Sequence, residues 1–400
     1  MSHFLRRATE TAKMAAIGHA LNILGLPAIR RRALESLEHA GMILMFHHVA
    51  PPQPGRLPIN QGLEITPQTL DHVLCSLKAQ DYDIVSIDEA PERLARGSQG
   101  KRRFAVLTFD DGGRDNLLHA APVLLRHRAP FTIYVTTDFA CGRVTPWWHV
   151  VERAVLTATS LTLHTDAGLQ VFDTSSRLKK QRAAAALHDI LWRASEPLRA
   201  QQTIALAMQA QIDLPALANE LCMDWDELRE IAALPGCTIG AHTVSHPKLA
   251  QLDESAVMRE INVGRDIIRD RLCVDANHFS YPYGGAGTCD QREFAMIRAA
   301  GFTTAVTTRK NVLQQADVHG LTSLARVPIN GRFQQPAMID ALVSGLPMVL
   351  TQMSARQDRA SPRQPERREQ ARQKSRTAAL PEIAASEGYK ISNAHQHTGD

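Results

Sequence analysis

The sequence lacks the features that mark disulfide-rich and secreted proteins. Its six cysteines, among 400 residues, form no CxxC pair and no closely spaced framework, which favours reduced thiols and a cytoplasmic location. Residues 14–29 are moderately apolar, but His19 and Asn22 interrupt them and no small-residue cleavage site follows. A secretory signal is therefore not expected.

Long apolar runs are missing as well. The stretch at residues 14–29 is too short and too polar to span a membrane, so no transmembrane segment is expected. It is predicted to form a helix packed on the body of the protein. An amphipathic helix in peripheral contact with a membrane surface is the alternative.

An excess of charge of one sign is absent from the body of the chain. The net charge is +4 with 22% charged residues, and much of the positive excess lies after residue 355. Nothing in the composition therefore demands nucleic acid as a partner. The apolar content of 44% is enough for a sizeable core, and no fixed-period repeat is visible.

Strand and helix patterns alternate along most of the chain. Apolar runs predict strands at residues 42–46, 82–86, 104–109, 131–136, 238–241, 277–281, 304–307 and 324–328. Helices are expected at residues 66–80, 116–127, 254–271 and 290–300, the first with Thr66 as its cap and Pro67 in its first turn. This succession indicates a parallel sheet, either an open doubly wound sheet or a barrel.

Four segments follow from this pattern. Residues 1–40 read as an N-terminal helical segment, and residues 41–345 as the α/β body. Within the body, residues 141–235 are rich in Ala, Leu, Gln and Arg and predict an inserted helical cap. Residues 346–400 are expected to be a basic disordered tail, because Arg, Gln, Ser and Pro dominate there and apolar residues are few.

Two adjacent carboxylates, Asp110 and Asp111, follow the buried strand predicted at residues 104–109. Functional sites of α/β proteins gather at this end of the strands. In an extended segment, neighbouring side chains point in opposite directions, so one carboxylate can bind a metal while the other faces a substrate. Gly112 and Gly113 allow a sharp turn there. Because Asp-Asp-Gly is also a common turn sequence, this segment alone does not decide for a site.

Two histidines, His242 and His246, follow another predicted strand. A separation of four residues would place both imidazoles on one side of a helical turn, which suits a shared metal ion. The pattern also recurs by chance on exposed helices. Its position after a second strand end, together with the carboxylate pair, is more specific than either feature alone.

Three segments resemble the motifs of the NodB-homology polysaccharide deacetylases (carbohydrate esterase family four). They are Thr-Phe-Asp-Asp-Gly at 108–112, His-Thr-Val-Ser-His at 242–246, and Ser-Tyr-Pro-Tyr-Gly at 280–284, which is similar to Arg-x-Pro-Tyr-Gly. The resemblance covers residues 41–335 outside the insert. It implies a distorted (β/α)7-type barrel and metal-dependent removal of acetyl groups from N-acetylglucosamine units.

The resemblance also implies roles for individual residues. Asp111, His242 and His246 would be the metal ligands, Asp110 the general base, and the backbone N–H of Tyr283 an oxyanion donor. One carboxylate and two imidazoles suit Zn²⁺, although Co²⁺ or Ni²⁺ would fit too. A metal bound there would lower the pKa of water from about 15.7 toward 7 and polarise the acetyl carbonyl.

The chain departs from the family in its general acid. Much of the family uses a histidine in a C-terminal Leu-x-His motif, which is absent after residue 284 here. A circularly permuted branch, including biofilm poly-N-acetylglucosamine deacetylases, has the equivalent segment on its first strand. His47 is therefore predicted as the acid, with Met45 in the wall around the acetyl methyl group. His48 is the alternative, since only one of two neighbouring strand residues can point inward; a strand end without chemistry is a third interpretation.

A second departure concerns the arginine of the third motif, which orients the base in the family. Ser280 occupies its position here. Arg326, near another predicted strand end, is the candidate substitute, and a surface ion pair is the alternative reading of that residue. Trp147 and Trp148 could stack on sugar rings or pack into a core.

Three functional hypotheses remain. The first is a metal-dependent deacetylase of N-acetylated oligo- or polysaccharide, and a cytoplasmic enzyme would meet a chitooligosaccharide or a lipid-linked glycan precursor. The second is the same site acting on O-acetyl esters or a non-sugar amide. The third is a carbohydrate-binding protein that has lost catalysis, which the missing arginine favours and the complete set of base and ligands opposes.

Overall fold

The computed structural model describes residues 2–36, 39–97, 102–165 and 168–351. Most of the segment predicted as a disordered tail, residues 352–400, lies outside them. Residues 346–351, assigned to the tail from the sequence, are helical instead, and Met348 and Val349 pack against the core. The body therefore reaches at least residue 351.

Strands and helices alternate as the sequence pattern predicted. The strands are β1 (Gly41–Phe46), β2 (His48–Val49), β3 (Glu64–Ile65), β4 (Asp83–Ile84), β5 (Phe104–Phe109), β6 (Phe131–Val135), β7 (Ser160–Thr165), β8 (Gly168–Asp173), β9 (Cys237–Ala241), β10 (His278–Ser280), β11 (Thr304–Lys310) and β12 (Leu324–Pro328). The helices are α1 (Ser2–Leu24), α2 (Pro27–Ser36), α3 (Pro67–Ala79), α4 (Ala90–Arg96), α5 (Ala121–His127), α6 (Thr137–Ala140), α7 (Trp147–Thr157), α8 (Arg177–Arg193), α9 (Glu196–Gln209), α10 (Leu214–Leu221), α11 (Trp225–Ala232), α12 (Glu254–Leu272), α13 (Gln291–Ala299) and α14 (Pro336–Val343). A π-helical turn (Asn116–Ala120) precedes α5, and 3₁₀ turns lie at Gln61–Leu63, Leu249–Gln251 and Gln315–Ser323.

Seven parallel strands of the described chain close into a barrel. Their order is β1-β12-β11-β10-β9-β6-β5, and β5 pairs back onto β1. The closing register runs from Gly41 opposite Phe104 to Phe46 opposite Phe109. The short β4 pairs with Phe104 and Ala105 of β5, and β6 pairs with β5 further along the strand, from Thr108. The predicted (β/α)7-type barrel is confirmed, and the open doubly wound sheet is excluded.

Alternate residues of the strands face two different cores, as the two-residue period of a strand requires. Ile43 of β1 and Val106 of β5 belong to one apolar cluster together with Tyr134 of β6. Their neighbours Leu44 and Leu107 pack in the larger cluster that includes the surrounding helices. Because both faces are covered, β1 and β5 are buried throughout, which explains their continuous apolar sequences.

The N-terminal segment packs on the barrel through α1. Leu21 joins the main core, and α1 contacts α14. A Cβ at Gly25, just after α1, would lie 1.8 Å from the Ala337 carbonyl oxygen, so the two backbones approach closely enough to require glycine. None of the described helices combines the length and the apolar character that crossing a bilayer would need.

The insert at residues 141–235 holds more than the predicted helices. It contains α7 to α11 and also an antiparallel hairpin of β7 and β8. Leu161 and Leu163 of β7 are buried while Ser160 is exposed, so the hairpin follows a strand period that a helical reading overlooked. Trp147 and Trp148 are buried in the apolar core of the insert, as the packing interpretation of this pair predicted.

Candidate active site

The two adjacent carboxylates lie where β5 ends. The Asp110 N–H donates to the Phe46 carbonyl at 3.0 Å, which continues the pairing of β5 with β1 beyond Phe109. Asp111 then has a φ of +72°, and Gly112 follows with a φ of +69°. The expectation of two extended residues was therefore wrong for Asp111, because a left-handed turn begins there and directs its carboxylate.

His242 and His246 lie in an irregular loop rather than on the predicted helical turn. Thr243 has a φ of +66° and His246 a φ of +62°, values that no right-handed helix contains. Glu260 of α12 stabilises the loop by accepting hydrogen bonds from two consecutive backbone N–H groups, both at 2.9 Å. The four-residue spacing of His242 and His246 therefore belongs to a loop after β9 that Glu260 holds in place.

Asp111, His242 and His246 converge on one point at the carboxyl ends of the strands. Asp111 Oδ1 lies 3.3 Å from Nε2 of each histidine, and the three donor atoms lie within 4.8 Å of one another. His242 Nδ1–H donates to the Ser280 carbonyl at 2.7 Å, so Nε2 is the nitrogen that faces the carboxylate. Asp111 Oδ1 is buried, and apart from these two imidazole contacts it has no hydrogen-bond partner in the described part of the chain. A carboxylate and two imidazoles in this arrangement fit a divalent metal ion.

Burial and charge oppose each other at this triad. Burial disfavours the Asp111 carboxylate, but the hydrogen bonds from the two histidines hold its pKa well below the usual range. Burial lowers the pKa of His246, whereas at His242 the Asp111 hydrogen bond and the charges of Asp110 and Asp111 together outweigh burial and raise the pKa. Asp111 is therefore ionised at neutral pH, as a metal ligand must be.

Arg326 of β12 is wholly buried and holds Asp110. Its Nη1 and Nη2 donate to the two carboxylate oxygens at 2.9 and 2.7 Å. Further hydrogen bonds reach Thr108 Oγ1 at 3.1 Å, Ser280 Oγ at 3.2 Å and the Thr307 carbonyl at 2.8 Å. The alternative of a surface ion pair is excluded, because Arg326 has no exposed area.

Ser280 explains how the site accommodates an arginine from another strand. Its hydroxyl contacts the Arg326 guanidinium instead of supplying a positive charge itself. Burial disfavours the Asp110 carboxylate, yet the Arg326 guanidinium holds the pKa of Asp110 below its ordinary value. The charge that the third motif lacks at residue 280 is thus present on β12.

His47 and His48 turn toward different partners at the end of β1. His47 Nε2 lies 3.8 Å from Asp110 Oδ2, and its side chain is 19% exposed. His48 Nδ1 lies 3.1 Å from Asp115 Oδ2, and its Nε2 lies 3.3 Å from His149 Nε2. The structure therefore places His47, and not His48, beside the carboxylate predicted as the base.

Tyr283 is held on several sides in a left-handed conformation with a φ of +61°. Its hydroxyl accepts a hydrogen bond from Trp147 Nε1 at 2.9 Å. Its ring centroid lies 4.7 Å from that of His246 and 5.1 Å from that of Trp192, and the Arg199 guanidinium lies 5.5 Å above it. Trp147, Trp192 and Arg199 all belong to the insert, so the insert forms one wall of the site.

Several supporting residues were missed from the sequence. They are Asp115, Asn116, Arg199 and Glu260. Asn116 Nδ2 donates to the His47 carbonyl at 3.1 Å, and only its position shortly after the carboxylate pair could have suggested this role. The others carried no local signal, because their partners are distant in the chain.

The barrel carries a buried triad of one carboxylate and two imidazoles at the carboxyl ends of its strands. A second carboxylate, paired with a guanidinium, lies beside the triad. This combination is typical of hydrolases among the barrel proteins. The polysaccharide deacetylase family matches residues 97–305, which is more than half of the chain. The chain belongs to the polysaccharide deacetylase family, and its chemistry is therefore deacetylation of carbohydrate. The matched range contains Asp110, Asp111, His242, His246 and Tyr283, whereas His47 and Arg326 lie outside it.

Solved structures with a similar chain path include three proteins, two of which are described as deacetylases. The deacetylase PplD of Streptococcus pyogenes is 18% identical, with a TM-score of 0.48 over 73% of this chain and 92% of that one. IcaB of Ammonifex degensii is 18% identical, with a TM-score of 0.46 over 76% and 98%. The polysaccharide deacetylase BC0361 of Bacillus cereus is 13% identical, with a TM-score of 0.46 over 75% and 68%. No curated protein matches the sequence.

Proposed function

We propose that this protein is a metal-dependent hydrolase that removes N-acetyl groups from an N-acetylglucosamine-containing oligo- or polysaccharide. The observation that carries the proposal is the convergence of Asp111, His242 and His246, with the Arg326-paired Asp110 beside them. Asp111, His242 and His246 would hold the metal, and Zn²⁺ suits this donor set best, with Co²⁺ or Ni²⁺ as substitutes. Bound there, a divalent metal supplies Lewis acidity to the acetyl carbonyl and to a water.

Asp110 acts as the general base in this mechanism. Arg326 contacts both of its oxygens, which fixes the plane of the carboxylate and keeps it ionised at neutral pH. The remaining lone pairs can accept the proton of the attacking water. Tyr283 is proposed to support the same step, because its backbone N–H donates to no acceptor in the described part of the chain and can stabilise an oxyanion.

His47 protonates the leaving amine with the proton that Asp110 takes from the attacking water, since His47 Nε2 lies 3.8 Å from Asp110 Oδ2. Burial lowers the pKa of His47, although the neighbouring Asp110 and Asp111 carboxylates act in the opposite direction. The Asn116 side chain fixes the His47 backbone, and the 19% exposure of the imidazole gives a substrate access to it. An amide nitrogen leaves only as an amine, so this proton transfer is required for N-deacetylation.

The substrate is proposed to be a chitooligosaccharide or a lipid-linked glycan precursor met in the cytoplasm. The six free cysteines support this location, since none of them is within a disulfide in the structure. An O-acetyl ester is the second candidate substrate, because the same groups would cleave it without needing His47 as strongly. A non-catalytic carbohydrate-binding role is less well supported, since the Arg326–Asp110 pair supplies the charge missing from the third motif.

Acetate release by purified, metal-loaded protein tests the proposal. The panel contains N-acetylglucosamine oligomers, acetylxylan and simple acetamides, and we expect release from the oligomers to be fastest. Asp110→Asn should lower kcat at least about a hundredfold. Asp83→Asn is the matched control, since Asp83 pairs with Arg93 away from the site. Equal release by Asp110→Asn and the wild-type protein would remove Asp110 from its role, and release from acetylxylan alone would replace the amide by an ester.

A further inference from the structure

His246 lacks a contact that its neighbour in the triad, His242, has. Nδ1–H of His242 donates to the Ser280 carbonyl at 2.7 Å, and this hydrogen bond orients the imidazole. Nδ1 of His246 is buried and has no hydrogen-bond partner in the described part of the chain. Histidines that bind a metal almost always donate their second ring N–H to an acceptor, which sets the orientation of the ring. Other contacts must therefore orient His246.

Aromatic rings surround the His246 imidazole. Its centroid lies 5.5 Å from that of Phe139, 5.3 Å from that of Trp148 and 4.7 Å from that of Tyr283. Trp148 belongs to α7 of the insert, and the insert also packs on Tyr283 through Trp192. Ring contacts allow a wider range of geometries than a hydrogen bond does. A precise position of the imidazole therefore depends on the backbone of this loop as well.

The barrel holds the backbone on one side of His246. Glu260 of α12 accepts hydrogen bonds from the two backbone N–H groups described above and from the Ser245 hydroxyl at 2.7 Å. On the other side the chain continues through Pro247 to Lys248. The ring of Pro247 fixes its φ, so this connection is stiff. A displacement of Lys248 is therefore passed on to His246.

The insert holds Lys248 by its backbone and by its side chain. Lys248 is buried, and its backbone N–H donates to Glu196 Oε1, in the first residue of α9, at 2.9 Å. Its ammonium group donates to the Trp192 carbonyl in the last turn of α8 and lies 4.4 Å from the centroid of the Trp192 ring. An ion pair with Arg199 fixes Glu196 in turn. The insert thus fixes the chain two residues after a metal ligand.

We propose that Glu196 and Lys248 are positioning residues that fix His246 for metal binding, so that the affinity for a divalent metal depends on the docked insert. The inference rests on the metal site of the proposed function. Such a coupling is reciprocal. If the docked insert strengthens metal binding, a bound metal stabilises the docked insert by the same factor.

The affinity of the full chain for Zn²⁺, measured by competition with a chromophoric chelator, tests the proposal. Glu196→Ala removes the acceptor of the Lys248 N–H, and we expect the dissociation constant to rise about tenfold, as when other groups that orient a metal ligand are lost. Glu196→Gln keeps an oxygen acceptor without the charge and should restore the affinity to within about threefold of the wild type. Equal losses in both variants would assign the effect to the charge of Glu196 and overturn the proposal.

Lys248→Met tests the same contact with the opposite change of charge. It removes the ammonium group and keeps an unbranched side chain on the Trp192 ring. Loss of a positive charge near the site would by itself strengthen the binding of a cation. We nevertheless expect the dissociation constant to rise several-fold, because the hydrogen bond to α8 is lost. Unchanged or tighter Zn²⁺ binding in Lys248→Met, together with unchanged binding in Glu196→Ala, would overturn the proposal.

Glu220→Ala is the matched control, because Glu220 is a glutamate of α10 in the same insert and pairs with Arg153 at the surface. Its dissociation constant for Zn²⁺ should equal that of the wild type. Thermal unfolding of the metal-free variants separates lost metal binding from lost folding, and Lys248→Met tests the proposal even if Glu196→Ala does not fold.

Hydrogen exchange gives a second readout, because the coupling is reciprocal. Zn²⁺ should slow amide exchange in α8 and α9 of the wild-type protein, and the difference should shrink in Glu196→Ala. Exchange in these helices that is the same with and without Zn²⁺ would overturn the proposal.

The same data distinguish this proposal from the function on which it rests. Zn²⁺ binding that depends on Glu196 and Lys248, without acetate release from any substrate, would refute the catalytic proposal and keep the coupling. Acetate release by a protein whose Zn²⁺ affinity is the same in all variants would keep catalysis and refute the coupling.

Discussion

Arg326 carries a full charge in the interior of the barrel, where an unpaired charge is strongly unfavourable. Its two hydrogen bonds to Asp110 and its contact with the Thr307 carbonyl compensate for the lost hydration. Removing one member of such a pair leaves the other charge buried and unpaired, whereas removing both avoids that penalty. The pair should therefore behave as one unit in stability as well as in catalysis.

Arg326→Met should lower the free energy of unfolding by about 3–5 kcal/mol, because it leaves the buried Asp110 carboxylate without a partner of opposite charge. Adding Asp110→Asn to it should restore part of that loss, which urea denaturation of the two single variants and the double variant would measure. Arg93→Met is the control, since Arg93 pairs with Asp83 near the surface, and its loss should cost less than about 1 kcal/mol. Strict additivity of the Arg326 and Asp110 changes would contradict the coupling.

His48 forms a second buried ion pair next to the site. Burial disfavours its charge, but the adjacent Asp115 carboxylate raises the pKa of His48 to about 9. Asp111 and Glu64 act on His48 in the same direction, while the facing His149 keeps a pKa well below the usual range and is neutral. A histidine whose folded pKa is raised stabilises the protein below its unfolded pKa of about 6.5, and this stabilisation is lost as the pH rises through about 9.

Asp115→Asn should reveal this dependence. The wild-type protein should exceed the variant in free energy of unfolding by about 3 kcal/mol near pH 6, and the difference should shrink above about pH 9. Chemical denaturation at both pH values measures it. Asp71→Asn, which removes the partially exposed partner of His127, is the control and should show a smaller difference. A gap between wild type and Asp115→Asn that is the same at both pH values would mean that His48 carries no charge.

At the scale of elements, the insert does more than cover the site, because it also holds one of the site residues in place. Its helices α7, α8 and α9 place Trp147, Trp192 and Arg199 around the Tyr283 ring. Tyr283 has a backbone conformation that a non-glycine residue seldom adopts, so surrounding contacts are needed to keep it. The insert therefore positions the residue whose N–H is proposed to stabilise the oxyanion.

Trp147→Phe removes the donor to the Tyr283 hydroxyl and keeps most of the apolar packing. We expect kcat to fall several-fold with little change in KM, since an oxyanion donor acts mainly in the transition state. Steady-state kinetics on the pentamer of N-acetylglucosamine measures both kcat and KM. Trp225→Phe, in α11 of the same insert, should leave both unchanged because its Nε1 contacts Cys141 instead. A rise in KM at constant kcat would place Trp147 in substrate binding.

At the scale of the whole molecule, the triad joins parts of the chain that are remote in sequence. Asp111 follows β5, and the two histidines follow β9, so a bound metal would connect two strand ends that are separated in the barrel by β6. A ligand that binds only the folded state stabilises it in proportion to the logarithm of its concentration. The stability of the protein should therefore depend on the metal.

Zinc should raise the melting temperature of the protein, and a chelator should lower it, as calorimetry would show. Occupancy at about a thousand times Kd corresponds to about 4 kcal/mol of stabilisation. His246→Ala should abolish the response. His127→Ala is the control, because His127 with Asp71 and Cys75 forms a more exposed group whose donors also lie within 4.8 Å. A response lost in His127→Ala but kept in His246→Ala would move the metal to that surface group.

Local sequence patterns predicted much of this protein. The apolar runs of β1, β5 and β6 and the cap of α3 were foreseen within one or two residues, because burial on both faces and a Thr–Pro start are local signals. The loop of His242 and His246 was not foreseen, since its left-handed residues depend on contacts with the distant Glu260. The hairpin of β7 and β8 was also missed, because it lies in a region of helical composition.

The sequence by itself determined the strand ends and the chemical groups that stand there: two carboxylates after β5 and two histidines after β9. Tertiary structure decided which groups meet. Arg326 and Asp110 are 216 residues apart, and they form a pair only because β1 joins β5 to β12 in a closed barrel. Periodicity and turn residues fix local conformation, whereas such a contact depends on strand register and barrel closure, which no local segment encodes.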